Sequence, residues 1–120
     1  MSRAHLDRGQ RGEDLAAAWY RDHGYAVVAR NWRTRWGELD LIATQRGQIV
    51  FVEVRSRSTA TGGTAEESVG PDKQRRLLRM AESYLQQHAP DASARIDVVT
   101  VYFPHGRAPE IHHIPGAVSS

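Results

Sequence analysis

The chain has 120 residues, a formal net charge of +2 and no cysteine. This length suits one domain with its own core, and the absence of cysteine excludes a disulfide framework or a cysteine-ligated zinc site. The chain has no 18-residue apolar run, and its first 15 residues lack the apolar segment of a signal peptide. We therefore expect a cytoplasmic location and no membrane partner.

The basic residues are unusual in type, because 15 of the 16 are arginine and Lys73 is the only lysine. Arginine forms bidentate contacts with phosphate, which makes nucleic acid a candidate partner. Codon bias in a GC-rich genome would give the same composition, so both explanations stay open. The positions are more informative. Arginines flank a predicted hairpin and open a predicted helix: Arg30, Arg33, Arg35, Arg55, Arg57, Arg75, Arg76 and Arg79.

The first third of the chain predicts a helix, a strand and a loop. Residues 9–23 have helical periodicity, and Gly24 is well placed as the C-cap. Glu13 lies on the helical stripe that also carries Ala16, Ala17 and Tyr20. Residues 25–30 (YAVVAR) predict a short strand, and residues 31–36 predict a polar loop.

The last part of the chain predicts a second helix between strands. Residues 56–70 are rich in serine, threonine and glycine and predict a mobile loop. A helix should run from Pro71 to about His88, since proline is favoured at a first helical position. Its buried stripe comprises Leu77, Met80, Ala81, Tyr84 and Leu85, with Lys73 one turn earlier on the same side. Residues 95–103 and 110–114 predict two further strands.

The predicted order is α-β-β-β-α-β-β, a mixed central sheet flanked by helices, of the α/β (α+β) class. We expect a single domain over residues 1–120, with a core at about 9–114 and frayed ends at 1–8 and 115–120. Asp97, in the segment RIDVV, is interpreted as structural, through an ion pair with Arg95 or a tie to a loop.

Residues 38–44 and 48–55 predict a β-hairpin with its turn at 45–48. If paired positions sum to 93, one face is wholly apolar and contains Leu39, Leu41 and Ala43 opposite Val54, Val52 and Val50. The other face then pairs Glu38 with Arg55, Asp40 with Glu53, and Ile42 with Phe51. A register slip of one residue would place acids on the apolar face, which burial of that face excludes.

This register places Asp40 directly opposite Glu53, with Cβ atoms about 4.5–5.5 Å apart. Two carboxylates at that distance destabilise a sheet and raise one pKa unless a cation lies between them. Mg²⁺ commonly takes one or two carboxylates together with water and phosphate oxygens. The alternative is a pair of solvated carboxylates balanced by nearby arginines. For Glu38 the favoured interpretation is a cross-strand ion pair with Arg55.

These motifs resemble the restriction-endonuclease-like PD-(D/E)XK superfamily. The resemblance rests on the acidic residue in the first helix, GELDLIA at 37–43, VFVEVRSR at 50–57 and the basic second helix. The chain is more closely similar to the bacterial YraN-like family, which resembles archaeal Holliday junction resolvases, over about residues 9–103. The resemblance implies an endonuclease that uses Mg²⁺ or Mn²⁺ to hydrolyse phosphodiester bonds in DNA, including branched or junction DNA.

Carried across by position, the resemblance implies that Asp40 and Glu53 are catalytic metal ligands and that Glu13 supports the metal from the first helix. Arg55 stands where the superfamily has lysine and would hold the scissile phosphate. Arginine cannot transfer a proton near neutral pH, although it can stabilise charge. Lys73 could supply the lysine role from the second helix.

Nucleic acid, DNA rather than RNA, is the implied partner. Its backbone would be contacted by Arg33, Arg35, Arg57, Lys73 and Arg76. Trp32 and Trp36 could stack on unpaired bases or simply pack the core. Resolvases of this fold act as dimers, so a homodimer is also an option. Two rival hypotheses keep the fold without catalysis: a nucleic-acid-binding module, and an interaction subunit that uses the edge strand at 110–114.

Overall fold

The computed structural model describes residues 3–58 and 69–119. Within these ranges the chain forms two helices and five strands in the predicted order, so the α/β (α+β) class with a mixed sheet is confirmed. The elements are α1 (Arg3–Asp22), β1 (Ala26–Thr34), β2 (Gly37–Gln45), β3 (Gln48–Arg57), α2 (Pro71–His88), β4 (Ser93–Tyr102) and β5 (Glu110–Val118).

The strands form one sheet in the order β1-β2-β3-β4-β5, and only the β3–β4 pair is parallel. A parallel pair needs a crossover connection, and α2 lies within it. The helices cover opposite faces of the sheet. The α1 face buries Ala16, Ala17, Tyr20, Leu41, Ala43, Val50, Val52, Val99 and Val101. The α2 face buries Leu39, Ile42, Ile49, Phe51, Leu77, Met80, Ala81, Ile96 and Val98, among others.

The ends of several elements differ from the prediction. Helix α1 begins at Arg3, and strand β5 continues to Val118, which is buried in the α2-side core. Regular structure therefore extends into both segments that were expected to fray. Of the loop predicted at 56–70, residues 59–68 lie outside the described ranges, and β3 extends to Arg57. That residues 1–120 form one domain stays a prediction.

The predictions for Gly24 and for the buried stripe of α2 are confirmed. Gly24 has φ of 87°, the left-handed conformation of a helix-terminating glycine. The predicted stripe of α2 faces the core, with Leu77, Met80 and Ala81 buried. Neither helix in the described residues has the length and hydropathy needed to span a membrane.

The predicted hairpin register is confirmed from Leu41, which pairs with Val52, to Gln45, which pairs with Gln48. Arg46 and Gly47 have φ of 51° and 81°, as expected for a two-residue hairpin turn. The paired positions stop one step before Asp40 and Glu53. The hairpin therefore ends its regular ladder where the acidic residues begin.

The predicted polar loop at 31–36 is wrong, because β1 continues to Thr34 and pairs with β2 throughout. Sequence reasoning missed this extension because Asn31 interrupts the strand pattern. Asn31 has φ of 53°, a left-handed conformation within a strand. Asparagine is one of the few side chains that tolerate it. Beyond Asn31, Trp32 packs edge-on against Tyr84 of α2, with ring centroids 5.3 Å apart.

In β1 and β2, the side chains stop alternating regularly between the two faces of the sheet around Asn31. Ala29 and Trp32 both pack on the α2 side, and so do their partners Ile42 and Leu39. An interval of three residues on one face breaks the alternation of a regular strand. The predicted common face of Leu39 and Leu41 is therefore wrong, since Leu41 packs on the α1 side. The same break in the alternation places Glu38, the residue before Leu39, on the α1 side.

Asp97 forms the buried polar anchor of the other half of the sheet. Its carboxylate is fully buried and accepts hydrogen bonds from Tyr20 Oη at 2.7 Å, Arg95 Nε at 2.8 Å and the Gly116 backbone N–H at 2.9 Å. His113 Nε2 lies 2.8 Å from the same carboxylate. The contacts join α1, β4 and β5, which confirms the structural interpretation of Asp97 and its ion pair with Arg95.

We expect Asp97→Asn to lower the free energy of unfolding by about 2–3 kcal/mol, because it removes the charge that Arg95 and its other partners solvate. Burial alone would raise the pKa of Asp97, but hydrogen bonds from Arg95, His113, Gly116 and Tyr20 hold it below the ordinary value of 3.8. The stabilisation is therefore present above pH 4 and is lost as the pH falls through the folded-state pKa.

Urea denaturation at pH 7 and pH 3 measures this difference. The matched control is Asp91→Asn, the same chemical change at an exposed position just before β4. Equal stability of the two variants at pH 7 would contradict the structural role of Asp97.

Candidate metal centre

Four carboxylates from three elements lie close together where the alternation of β1 and β2 breaks: Glu13 of α1, Glu38 and Asp40 of β2, and Glu53 of β3. One carboxylate oxygen each from Glu13, Glu38 and Asp40 lies within 4.8 Å of the others. A group of this kind could bind a metal ion, since hard divalent cations prefer oxygen ligands. Glu13 lies close to the sheet because it shares a helical stripe with Ala16, Ala17 and Tyr20, which are buried against the sheet.

Asn31 links two of these carboxylates. Its Nδ2 donates to Glu13 Oε1 and to Glu38 Oε1, both at 2.9 Å. An amide nitrogen carries two hydrogens, so one group can satisfy both contacts. The left-handed backbone of Asn31 thus occurs where its side chain holds an acidic residue of α1 beside one of β2.

The predicted ion pair between Glu38 and Arg55 is wrong. Glu38 lies 3.3 Å from Arg33, its cross-strand neighbour on β1, and joins the acidic group on the α1 side. Sequence reasoning missed this role because it assumed strict alternation along β2. The available signal was Asn31, a residue type that tolerates the left-handed conformation, in a segment otherwise suited to a strand.

Asp40 differs from the other three acids in its partners. Its Oδ2 accepts the Val54 backbone N–H at 2.7 Å, and among the described residues no basic side chain lies within ion-pair distance of it. Burial raises the pKa of Asp40 to about 8, with a further contribution from Glu53 and a smaller one from Glu13, against the Val54 hydrogen bond. In the absence of a cation, Asp40 therefore holds a proton at neutral pH.

Glu53 is 4% exposed and is neutralised from two sides. Arg55 Nη1 and Lys73 Nζ each lie 3.4 Å from Glu53 Oε2. The prediction that Lys73 points toward the sheet is confirmed. Two cations from different elements thus lie beside a carboxylate that in turn perturbs Asp40.

The other cations predicted to contact nucleic acid lie in different places. Arg33 is tied to Glu38, and Arg57 is half-buried in β3. Arg35 lies in the β1–β2 turn, and Arg76 lies on the exposed side of α2. The structure therefore separates the five: Lys73 and Arg33 border the acids, Arg35 and Arg76 are exposed, and Arg57 is half-buried at the end of β3.

Comparison with known proteins gives a family and several relatives. The model of the uncharacterised protein family UPF0102 matches residues 12–101. A UPF0102 protein of Mycolicibacterium vanbaalenii is 47% identical over 116 residues, 96% of this chain and 94% of its own length. Another, of Leifsonia xyli, is 42% identical over 111 residues, 92% of this chain and 94% of its own length.

Among solved structures, SfsA of Pyrococcus furiosus in complex with Ca²⁺ overlaps with a TM-score of 0.43 and 11% sequence identity. The overlap covers 97% of this chain, which spans only 65% of the length of that protein. The similarity is partial.

We expect Asp40→Asn to stabilise the metal-free protein at pH 8 and above. The folded-state pKa of Asp40, about 8, lies above its ordinary value of 3.8. The folded wild type therefore holds a proton that the unfolded chain releases, and its stability falls as the pH rises from about 4 to 8. Asparagine does not ionise, so the variant avoids this loss of stability, and its side-chain oxygen can still accept the hydrogen bond from the Val54 N–H. The melting temperature of the variant should exceed that of wild type by about 5 °C at pH 8.5.

Thermal unfolding in EDTA, followed by circular dichroism at pH 4.5 and pH 8.5, tests this expectation. The gain should vanish at the lower pH, and Asp91→Asn serves as the exposed control. A gain that is the same at both pH values would show that Asp40 carries no repulsive charge.

We expect two substitutions of Asn31 to distinguish the contribution of its side-chain amide to stability from that of its left-handed backbone. Asn31→Gly keeps the positive φ but loses both hydrogen bonds, which should destabilise the metal-free protein by about 1 kcal/mol. Asn31→Asp preserves the shape and adds a charge beside Glu13 and Glu38, so its cost at pH 8 should be about 2 kcal/mol or more. Urea denaturation measures both, and an Asn31→Asp variant as stable as wild type at pH 8 would refute the bridging role.

Proposed function

Since the chain belongs to the uncharacterised protein family UPF0102, we propose that its acidic centre serves a metal-dependent nuclease that hydrolyses phosphodiester bonds in DNA. The membership rests on the family match over residues 12–101 and on relatives more than 40% identical along most of the chain. It agrees with the YraN-like family predicted from the hairpin motifs. The activity itself is inferred from the chemistry of the site.

The observation that carries the proposal is the environment of Asp40. A carboxylate with a pKa near 8, close to three other acids, is costly to ionise. Perturbed groups of this kind concentrate at functional sites, because surrounding charge prepares them for a ligand. A divalent cation would supply the positive charge that Asp40 lacks among the described residues.

The donor set fits Mg²⁺ or Mn²⁺, since all of the candidate ligands are carboxylate oxygens. Glu13, Glu38 and Asp40 would hold the ion, and Glu53 would support it from the α2 side. Glu38 is thereby added to the predicted set of Asp40, Glu53 and Glu13. A bound ion of this type supplies charge stabilisation on phosphate oxygens and lowers the pKa of water.

Arg55 and Lys73 would hold the phosphate on the other side of Glu53. Hydrolysis adds the hydroxyl of one water to phosphorus and transfers its remaining proton, through a general base, so that the leaving oxygen ends protonated. Arg55 can stabilise the developing charge but cannot give up a proton near neutral pH. Lys73, with its ammonium 3.4 Å from the same Glu53 oxygen, can do both. We therefore assign to Lys73 the role that the superfamily gives to the lysine that Arg55 replaces.

DNA, including branched or junction DNA, is the proposed substrate, because the hairpin motifs resemble those of junction resolvases. Exposed arginines near the start of α2 would contact the backbone beyond the scissile phosphate. The homodimer, the cytoplasmic location and the preference for DNA over RNA stay predictions.

We expect the purified protein to cleave DNA in Mg²⁺ or Mn²⁺ and not in EDTA. Junction, flap, single-stranded and linear duplex DNA, with RNA of the same sequence, form the substrate panel. Asp40→Asn and Glu53→Gln should lower the cleavage rate at least 100-fold, and Lys73→Arg should lower it more than tenfold, because arginine keeps the charge but not the transferable proton.

Arg107→Gln, an exposed position in the β4–β5 connection, is the matched control and should cleave like wild type. Cleavage that persists in Asp40→Asn would overturn the metal centre. If no substrate is cut but binding survives in EDTA, the rival non-catalytic nucleic-acid-binding module is favoured, consistent with arginine at position 55. Calorimetry separates the two, because Mn²⁺ affinity that depends on Asp40 and Glu13 belongs only to the nuclease.

A further inference from the structure

A groove lies between the β1–β2 turn and the first half of α2. It encloses about 460 Å³ and is lined by Trp36, Asp72, Arg75, Arg76 and Arg79. Arg35, the residue before Trp36, places its guanidinium over the indole at 4.7 Å from the ring centroid. We call these six residues the arginine groove.

The arginine groove carries excess positive charge. Asp72 pairs with Arg75, which neutralises one arginine of the four. In the described part of the chain, no carboxylate lies within ion-pair distance of Arg35, Arg76 or Arg79. An arginine-rich helix face is often just solvated. Here the guanidiniums instead line a shared concave surface, where their repulsion favours a bound anion.

Trp36 adds an aromatic surface, on which a base could stack, to a groove whose arginines could bind phosphate. The indole is half-buried and packs against the α2-side core. Trp36 also lines the groove, and the guanidinium of the exposed Arg35 lies over its ring. An aromatic surface among cations is the arrangement that binds single strands, since any base can stack on the ring or on a guanidinium plane.

Helix α2 contributes to both the arginine groove and the surroundings of the acidic centre. Lys73, which contacts Glu53, lies one helical turn before Arg76, and Arg79 lies about one turn further along α2. Successive cations are thus about 4.5 Å apart along the helix axis. A strand with its scissile phosphate near Glu53 would meet these arginines at its neighbouring phosphates.

We propose that the arginine groove binds an unpaired segment of DNA next to the scissile phosphate. Arg76 and Arg79 bind its phosphates, and one base stacks on the Arg35–Trp36 pair. A base within a duplex cannot make that contact, because both of its faces are already stacked. This inference rests on the proposed nuclease function and specifies its substrate as DNA with a single-stranded element, such as a flap, a tail or an open junction.

The test is equilibrium binding of the full-length protein to fluorescent oligonucleotides in EDTA, where no cleavage occurs. Arg76→Gln with Arg79→Gln should weaken binding to single-stranded DNA at least tenfold. It should also reduce the slope of log affinity against log salt by about 1.4, since each phosphate contact to a single strand contributes about 0.7. Affinity for blunt duplex should fall less than threefold.

The matched control is Arg21→Gln with Arg107→Gln, which removes the same charge at two exposed positions on other elements. Its affinity for single-stranded DNA should stay within threefold of wild type. Equal losses in both double variants, or equal losses on duplex and single strand, would overturn the proposal. Tighter binding of RNA than of DNA of the same sequence would overturn the choice of DNA.

Tryptophan fluorescence tests the stacking contact separately. Single-stranded DNA should quench the emission of wild type and of Trp32→Phe, whereas Trp36→Phe should lose most of the quenching. Trp32 is the matched control, because it packs against Tyr84 rather than lining the groove. Circular dichroism verifies that each variant is folded, and quenching that survives in Trp36→Phe would exclude the stack.

The outcomes distinguish this inference from the proposed function. If no substrate is cleaved but the groove variants lose single-strand binding, the proposed nuclease activity is wrong and single-strand binding by the arginine groove is supported. If DNA is cleaved and the groove variants bind and quench like wild type, the proposed binding by the groove is wrong and the nuclease activity is supported.

Discussion

The left-handed backbone at Asn31 decides which face of the sheet each acidic residue of β2 occupies. It coincides with the break in the alternation of β1 and β2, so that Leu39 packs with Ile42 and Glu38 lies with Glu13. The Asn31 amide then holds the two glutamates. Without that switch, strict alternation would place Glu38 on the α2 side, away from Glu13 and α1. Unusual backbone conformations of this kind persist only where the surrounding contacts hold them in place, as the two glutamates do here.

Asp97 and Asp40 show how the surroundings of a carboxylate move its pKa in opposite directions. Asp97 receives hydrogen bonds from four residues, and its pKa is lowered despite burial. Asp40 receives one backbone N–H and stands beside Glu53, and its pKa rises to about 8. The first contributes to stability as an ionised group. The second makes the metal-free fold less stable when it ionises, which is the condition under which a cation binds favourably.

The positive charges are balanced by carboxylates beside the acidic centre, and less so in the arginine groove. Arg55 and Lys73 neutralise Glu53, and Arg30 and Arg33 lie beside Glu13 and Glu38. In the arginine groove, Arg35, Arg76 and Arg79 have no carboxylate within ion-pair distance among the described residues. Lys73, the single lysine of the chain, lies beside the same Glu53 oxygen as Arg55.

Local sequence patterns are enough to predict the order of elements and the hairpin register from Leu41 to Gln45. These features follow from hydrophobic periodicity and turn chemistry, which are local properties. The candidates Asp40, Glu53, Arg55 and Lys73 follow from the hairpin pattern together with the family resemblance. Neither source predicts the extension of β1, the place of Glu38, or the partnership of Asn31 with Glu13, because these depend on one backbone angle and on how α1 packs against the sheet. The grouping of Glu38 and Asp40 with Glu13 is visible only in the tertiary structure, since packing brings these distant segments together.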